Sequence, residues 1–146
     1  MRLAIVEDEK NFADNILGYL QSFQKETGYQ IETVWFQDGC DIAEEYKSDF
    51  VIILMDIQMP NMDGYQAAQC IRHLNDKKKA EIPIIAMTAN AFAEDRKRTF
   101  DAGMNGHIAK PIDIEKLGAV ILSVLKKQES LQTGKNNSMS ANRLRS

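Results

Sequence analysis

Short apolar, β-branched runs alternate five times with amphipathic segments along this chain, and that alternation restricts the fold more than any other feature. The runs are Leu3 to Val6, Ile31 to Phe36, Val51 to Met55, Ile82 to Met87 and, more weakly, His107 to Ala109. In the first gap Phe12, Ile16, Leu17, Leu20 and Phe23 recur at helical spacing and make one apolar face. Ile42, Ala43 and Tyr46 repeat the theme, as do Tyr65, Ala68, Ile71 and Arg72, the segment Phe92 to Phe100, and Leu117, Val120, Ile121, Val124 and Leu125 in a last helix near Ile114 to Lys127. Parallel neighbours need crossovers that are usually helical, so the pattern predicts an α/β fold with an open five-stranded parallel sheet and helices on both faces.

Punctuation agrees with this division. Ser48 and Asp49 precede the third run, Glu81, Ile82 and Pro83 lead into the fourth, and Lys110 and Pro111 follow the fifth. Gly103 and Gly106 bracket the return into the fifth strand, as a left-handed helix cap would require. Lys77, Lys78 and Lys79 read as the solvated end of the third helix, and His73 as a surface residue. A chain of 146 residues has room for one well-buried core. The expected division is a domain over residues 1–128 and a flexible polar, basic tail over 129–146.

Charge and cysteine usage narrow the function. Residues 126–146 hold five cations, Lys126, Lys127, Lys135, Arg143 and Arg145, against Glu129, so the body carries −7 of a net −3. A body of that sign disfavours nucleic-acid binding, which needs concentrated Lys and Arg. The tail is expected to be solvated, with contact to an acidic partner as the alternative. Cys40 and Cys70 lack metal-ligand spacing and read as reduced packing thiols. Met1 opens directly on the first strand without a cationic region, long apolar core and cleavage site, so a natural N-terminus and a cytoplasmic location are expected.

The chemistry gathers at the ends of the strands. Asp56 ends the third run directly before the turn residues Pro60, Asn61, Asp63 and Gly64, and Glu7, Asp8 and Glu9 follow the first run. Thr88 ends the fourth and Lys110 the fifth. Taken singly, Asp56 reads as a cap or turn residue, Glu7 and Asp8 as partners of a helix dipole, Thr88 as a cap and Lys110 as a solvated cation. Open parallel sheets, however, bind ligands outside the carboxyl ends of their strands, and here four of five ends carry a reactive or charged group. Bringing Glu7, Asp8 and Asp56 together costs repulsion that a hard divalent cation removes, and magnesium suits because it keeps waters for a phosphoryl group. Nucleophile, metal, hydroxyl and ammonium together suit transfer of a phosphoryl group onto a carboxylate.

Over residues 1 to about 127 the chain resembles a response-regulator receiver domain of two-component signalling, on Glu7 and Asp8, Met55 to Gly64, Thr88, and Lys110 with Pro111. The resemblance implies a flavodoxin-like (βα)5 sheet of order 2-1-3-4-5. It implies that Asp56 is the phosphoacceptor, with Thr88 and Lys110 serving the transfer, in a domain that promotes its own phosphorylation and dephosphorylation without being an enzyme in its own right. Asp8, Asp56 and the backbone carbonyl of Gln58 would bind Mg2+, or Mn2+ in its place, with Glu7 acting through water. Thr88 would be the switch hydroxyl, Gln58 and Asn90 would tune hydrolysis, and the Lys110–Pro111 bond is expected to be cis. His107 departs from the Tyr or Phe common at the aromatic switch position.

Implied partners are a histidine kinase or histidine phosphotransfer protein as donor, and a downstream protein or second copy reading the fourth helix, fifth strand and fifth helix, with Ala91 to Phe100, His107 and Ile114 to Lys126. No nucleic acid or membrane partner is expected. A receiver cut from a longer hybrid kinase or multidomain regulator is the alternative. A haloacid dehalogenase type of aspartyl-phosphate phosphatase would place its nucleophile after the first strand and add a cap. A flavodoxin-like flavin binder would need a phosphate loop where Glu7, Asp8 and Glu9 stand, and these would repel the phosphate.

Overall fold

The five apolar runs form one parallel sheet, β1 (Arg2–Val6), β2 (Glu32–Phe36), β3 (Phe50–Asp56), β4 (Ile84–Thr88) and β5 (Gly106–Ala109), in the order β2-β1-β3-β4-β5. The structure is a computed structural model and describes residues 1–45, 50–89 and 93–127. Tyr46, Ser48, Asp49, Asn90, Ala91, Phe92 and the tail 129–146, assigned above, lie outside these residues. Helices α1 (Lys10–Thr27), α2 (Gly39–Glu45), α3 (Gly64–Arg72), α4 (Ala93–Asp101) and α5 (114–127) link or follow the strands. None of the helices described is long and apolar enough to cross a membrane.

Side chains two apart along each strand point the same way, and this splits the core in two. Ala4, Val6, Ile53, Met55, Ile84 and Ala86 pack on one face with Ile42 of α2 and Ala67, Ala68 and Ile71 of α3. Leu3, Ile5, Ile52, Leu54, Ile85 and Met87 pack on the other with Ile16, Leu20 and Phe23 of α1 and Leu117, Ile121 and Leu125 of α5. Because β1, β3 and β4 are covered on both faces, their sequences read as continuous apolar runs.

Two local readings differ from the expectation. Lys77–Ala80 is a separate helical turn, not the end of α3. Its start is set by Asp76, whose carboxylate accepts the N–H groups of Lys78 at 3.0 Å and Lys79 at 3.3 Å, so the charged run gains its own cap. Of the two glycines before the fifth strand, only Gly103 has positive φ, at 91°, whereas Gly106 is the first residue of β5. The Lys110–Pro111 bond is cis.

Candidate functional site

Strand register delivers the chemical groups to one place. Val6 pairs with Met55, Asp56 with Met87, and Thr88 with Ala109, so the residues that end or follow β1, β3, β4 and β5 stand side by side. Two backbone bonds lock this row beyond the ladders, Ile57 N–H to Met87 O at 3.2 Å and Lys110 N–H to Thr88 O at 2.7 Å. Glu7, Asp8, Asp56, Gln58, Thr88 and Lys110 line a single pocket of about 200 Å³.

Lys110 is the hub of that pocket. Its Nζ lies 3.1 Å from Glu7 Oε2 and 3.2 Å from Asp56 Oδ1. Glu7 is completely buried, Asp56 nearly so, and Asp8 is exposed. Carboxylate oxygens of Glu7, Asp8 and Asp56 fall within 4.8 Å of one another, a hard-oxygen donor set able to hold a metal ion.

Burial pushes Glu7 up to about 7, with the charge of Asp56 adding to the shift and Lys110 opposing it. Burial also raises Asp56, against the pull of Lys110. Lys110 would be lowered by its own burial, but Asp56 and Glu7 hold its pKa above the ordinary lysine value.

A pH dependence follows. Between 4.5 and about 7 the unfolded chain gives up the Glu7 proton while the folded protein keeps it, so stability falls as pH rises through that window. In buffer free of divalent ions, thermal melts from pH 4.5 to 7.5 should show this decline, and Glu7→Gln should flatten it. An equal slope in both proteins would contradict the assignment.

The profile of the response regulator receiver domain matches residues 3–122 of the chain. The chain belongs to this family. Histidine kinase 1 of Arabidopsis thaliana is 36% identical over 106 residues, which are 73% of this chain and 8% of that protein. The transcriptional regulatory protein HprR of Escherichia coli is 30% identical over 134 residues, 91% of this chain and 55% of that regulator. The chain thus spans under a tenth of one relative and about half of the other. The receiver domain of the sensor histidine kinase PA1611 from Pseudomonas aeruginosa, solved with magnesium coordinated in its active-site cleft, has 30% identity and a TM-score of 0.73, over 86% of this chain and 97% of that one. Receiver domains are phosphoacceptor modules that work with histidine kinases or phosphotransfer proteins in two-component signalling.

Several contacts that shape this receiver's pocket were not evident in its sequence. The Asp38 carboxylate, buried after β2, accepts N–H groups of Cys40 at 3.1 Å and of Asn61 and Met62 at 3.2 Å each, pinning the loop that follows Asp56. Burial alone would raise Asp38, but these bonds outweigh it and hold its pKa below the usual value. The Trp35 indole donates to the Glu7 carbonyl at 2.8 Å. Gly64 N–H donates to Ile57 O at 2.9 Å, and a Cβ on Gly64 would run into the Asp56 carbonyl oxygen. Only glycine permits that approach.

One expected site residue is not in the pocket. His107 is half-buried on the edge strand β5 and lines a separate groove of about 630 Å³ shared with Val120 and Val124 of α5. Asn90 falls outside the described residues.

Proposed function

We propose that this receiver accepts a phosphoryl group from a phosphohistidine donor onto Asp56, in a magnesium-dependent reaction, and signals through the face built from α4, β5 and α5. The observation that carries the reading is the convergence of three carboxylates and an ammonium from four strand ends in one small pocket. An Asp56 carboxylate oxygen attacks phosphorus while the phosphorus–nitrogen bond breaks, and the bonding pair returns to the donor imidazole. Lys110 faces the charge on the phosphoryl oxygens, and the Thr88 hydroxyl donates to one of them. Asp8 and Asp56 would hold the ion directly with the Gln58 carbonyl, while Glu7, buried and bound to Lys110, would act through water. When bound, the ion supplies positive charge against the carboxylates and the transferred oxygens; manganese has the same preference for hard oxygen and would substitute.

Among the described residues, three large apolar side chains are exposed, and two of them, Phe100 and Ile114, belong to α4 and α5. The exposure of Phe100 supports this face as the surface a downstream protein or a second copy reads, whereas Ile114 lines a groove with Phe23, Glu26 and Thr27 of α1. Phosphorylation would shift an existing equilibrium, with Thr88 and His107 as switch residues and Gln58 and Asn90 tuning hydrolysis. The folded unit would be residues 1–128 with 129–146 as a tail, acting in the cytoplasm. A second reading, the receiver segment of a hybrid histidine kinase, is supported by the identity with the Arabidopsis kinase and uses the same chemistry.

Intact mass after incubation with acetyl phosphate tests the reading. One phosphoryl group should be gained with magnesium present and none after chelation. Equal gain in both samples would overturn the metal dependence, and no gain with either acetyl phosphate or a phosphohistidine protein donor would overturn the acceptor reading.

A further inference from the structure

The ammonium of Lys110 has a third neighbour besides Glu7 and Asp56. Its Nζ lies over the ring of Phe12, 4.2 Å from the centroid. Phe12 stands in the first turn of α1, half-buried where the α1 and α5 core meets the carboxylate pocket. Ile16 and Leu20, further along the same helical stripe, are fully buried, so Phe12 is the member of that stripe turned toward a charge. The negative face of an aromatic ring attracts an ammonium, and more strongly where water is kept away.

We infer that Phe12 is a positioning residue for Lys110, its ring holding the ammonium beside Asp56 while both carboxylates change partners. The inference rests on Asp56 being the phosphoacceptor. During transfer an Asp56 oxygen becomes bonded to phosphorus and its carboxylate loses the charge that held Lys110. With a divalent ion bound, Glu7 would hold water of its shell as well as Lys110. Both ionic partners of Lys110 therefore weaken at the step in which the ammonium must meet the incoming phosphoryl oxygens. The ring neither titrates, binds a metal nor accepts a phosphoryl group, so its attraction stays constant through the cycle. A leucine would fill similar space without that attraction.

Stepwise fluorination of Phe12 separates attraction from packing, because 4-fluoro-, 3,5-difluoro- and 3,4,5-trifluorophenylalanine keep the shape and apolarity while weakening the ring's negative face. The rate of phosphorylation by acetyl phosphate with magnesium, read by intact mass, should fall along the series to about one fifth. Phe12→Leu should be at least as slow, and Phe12→Trp should keep the unmodified rate. In a Lys110→Gln background the series should be flat. A flat series with Lys110 in place would overturn the inference. A second readout does not depend on phosphorylation: the ring current should move the Lys110 Hε resonances upfield, and Phe12→Leu should release them. If the unmodified protein gains no phosphoryl group from acetyl phosphate or from a phosphohistidine protein donor, the acceptor reading fails, and the resonances alone decide whether Phe12 holds Lys110; unchanged positions in Phe12→Leu would then overturn the contact.

Discussion

In Asp56→Asn, incubation with acetyl phosphate and magnesium should leave the intact mass unchanged, while the wild-type protein should gain one phosphoryl group. The expected loss is complete because a neutral amide oxygen does not displace a leaving group from phosphorus, and no other carboxylate among the described residues has the same setting. Glu7 is fully buried and tied to Lys110, and Asp8 is exposed. The substitution should not unfold the chain. Asp56 is a buried carboxylate whose pKa is raised by that burial and by Asp8, so removing its charge relieves a strained ionisation and leaves Lys110 with Glu7. The melting temperature of the variant should therefore equal or exceed that of the wild type. A phosphorylated species of undiminished yield in Asp56→Asn would sink the assignment of the acceptor.

What the sequence disclosed and what it withheld divide along one physical line. Asp56, Glu7, Asp8, Thr88 and Lys110 were legible because parallel strands all end on one edge, so a residue's place at the end of an apolar run already fixes its address. The alternation of strands and helices carries the open parallel sheet, and the resemblance to receiver domains implies its order, β2-β1-β3-β4-β5, which is the one found. The strands were placed to within two residues of their observed ends, from Arg2–Val6 to Gly106–Ala109.

Contacts that depend on three-dimensional return were not legible. Asp38 follows β2 as an ordinary polar turn residue, and only the fold shows that its carboxylate reaches the backbone of Asn61 and Met62 more than 20 residues on. Phe12 fitted the apolar stripe of α1, which concealed its contact with a lysine 98 residues away. Lysine runs carry no periodicity, so the turn Lys77–Ala80 was absorbed into α3. His107 lies on the fifth strand as its place in the sequence predicts, but position on a strand does not say which groove a half-buried edge residue lines.

Arg72 is the largest of these hidden determinants, and Arg72→Met should cost about 3 kcal/mol of stability, with the melting temperature falling by roughly 10–15 °C. In sequence it sits at the end of a helical face; in the fold its guanidinium ties α3 to the segments 80–82 and 103–105. Nε donates to Gly103 O at 2.7 Å, Nη1 to both Ala80 O and Ile82 O at 2.7 Å, and Nη2 to Asn105 Oδ1 at 2.8 Å. Asn105 Oδ1 also accepts Ile84 N–H at 2.9 Å, so the arginine reaches the first residue of β4 through a shared acceptor. Methionine keeps an unbranched stem but leaves three carbonyls without this donor, and charge-assisted bonds are each worth roughly 1.5–3 kcal/mol without adding in full. Arg72→Lys should recover less than half of the loss, because one ammonium cannot reproduce the planar fork that spans acceptors on opposite sides. None of these bonds enters the carboxylate pocket, so well below the melting range the phosphorylation rate should stay within about twofold of wild type. Urea titration of the three proteins would measure the difference, and a loss below about 1 kcal/mol in Arg72→Met would mean that water replaces the guanidinium at these carbonyls with little cost.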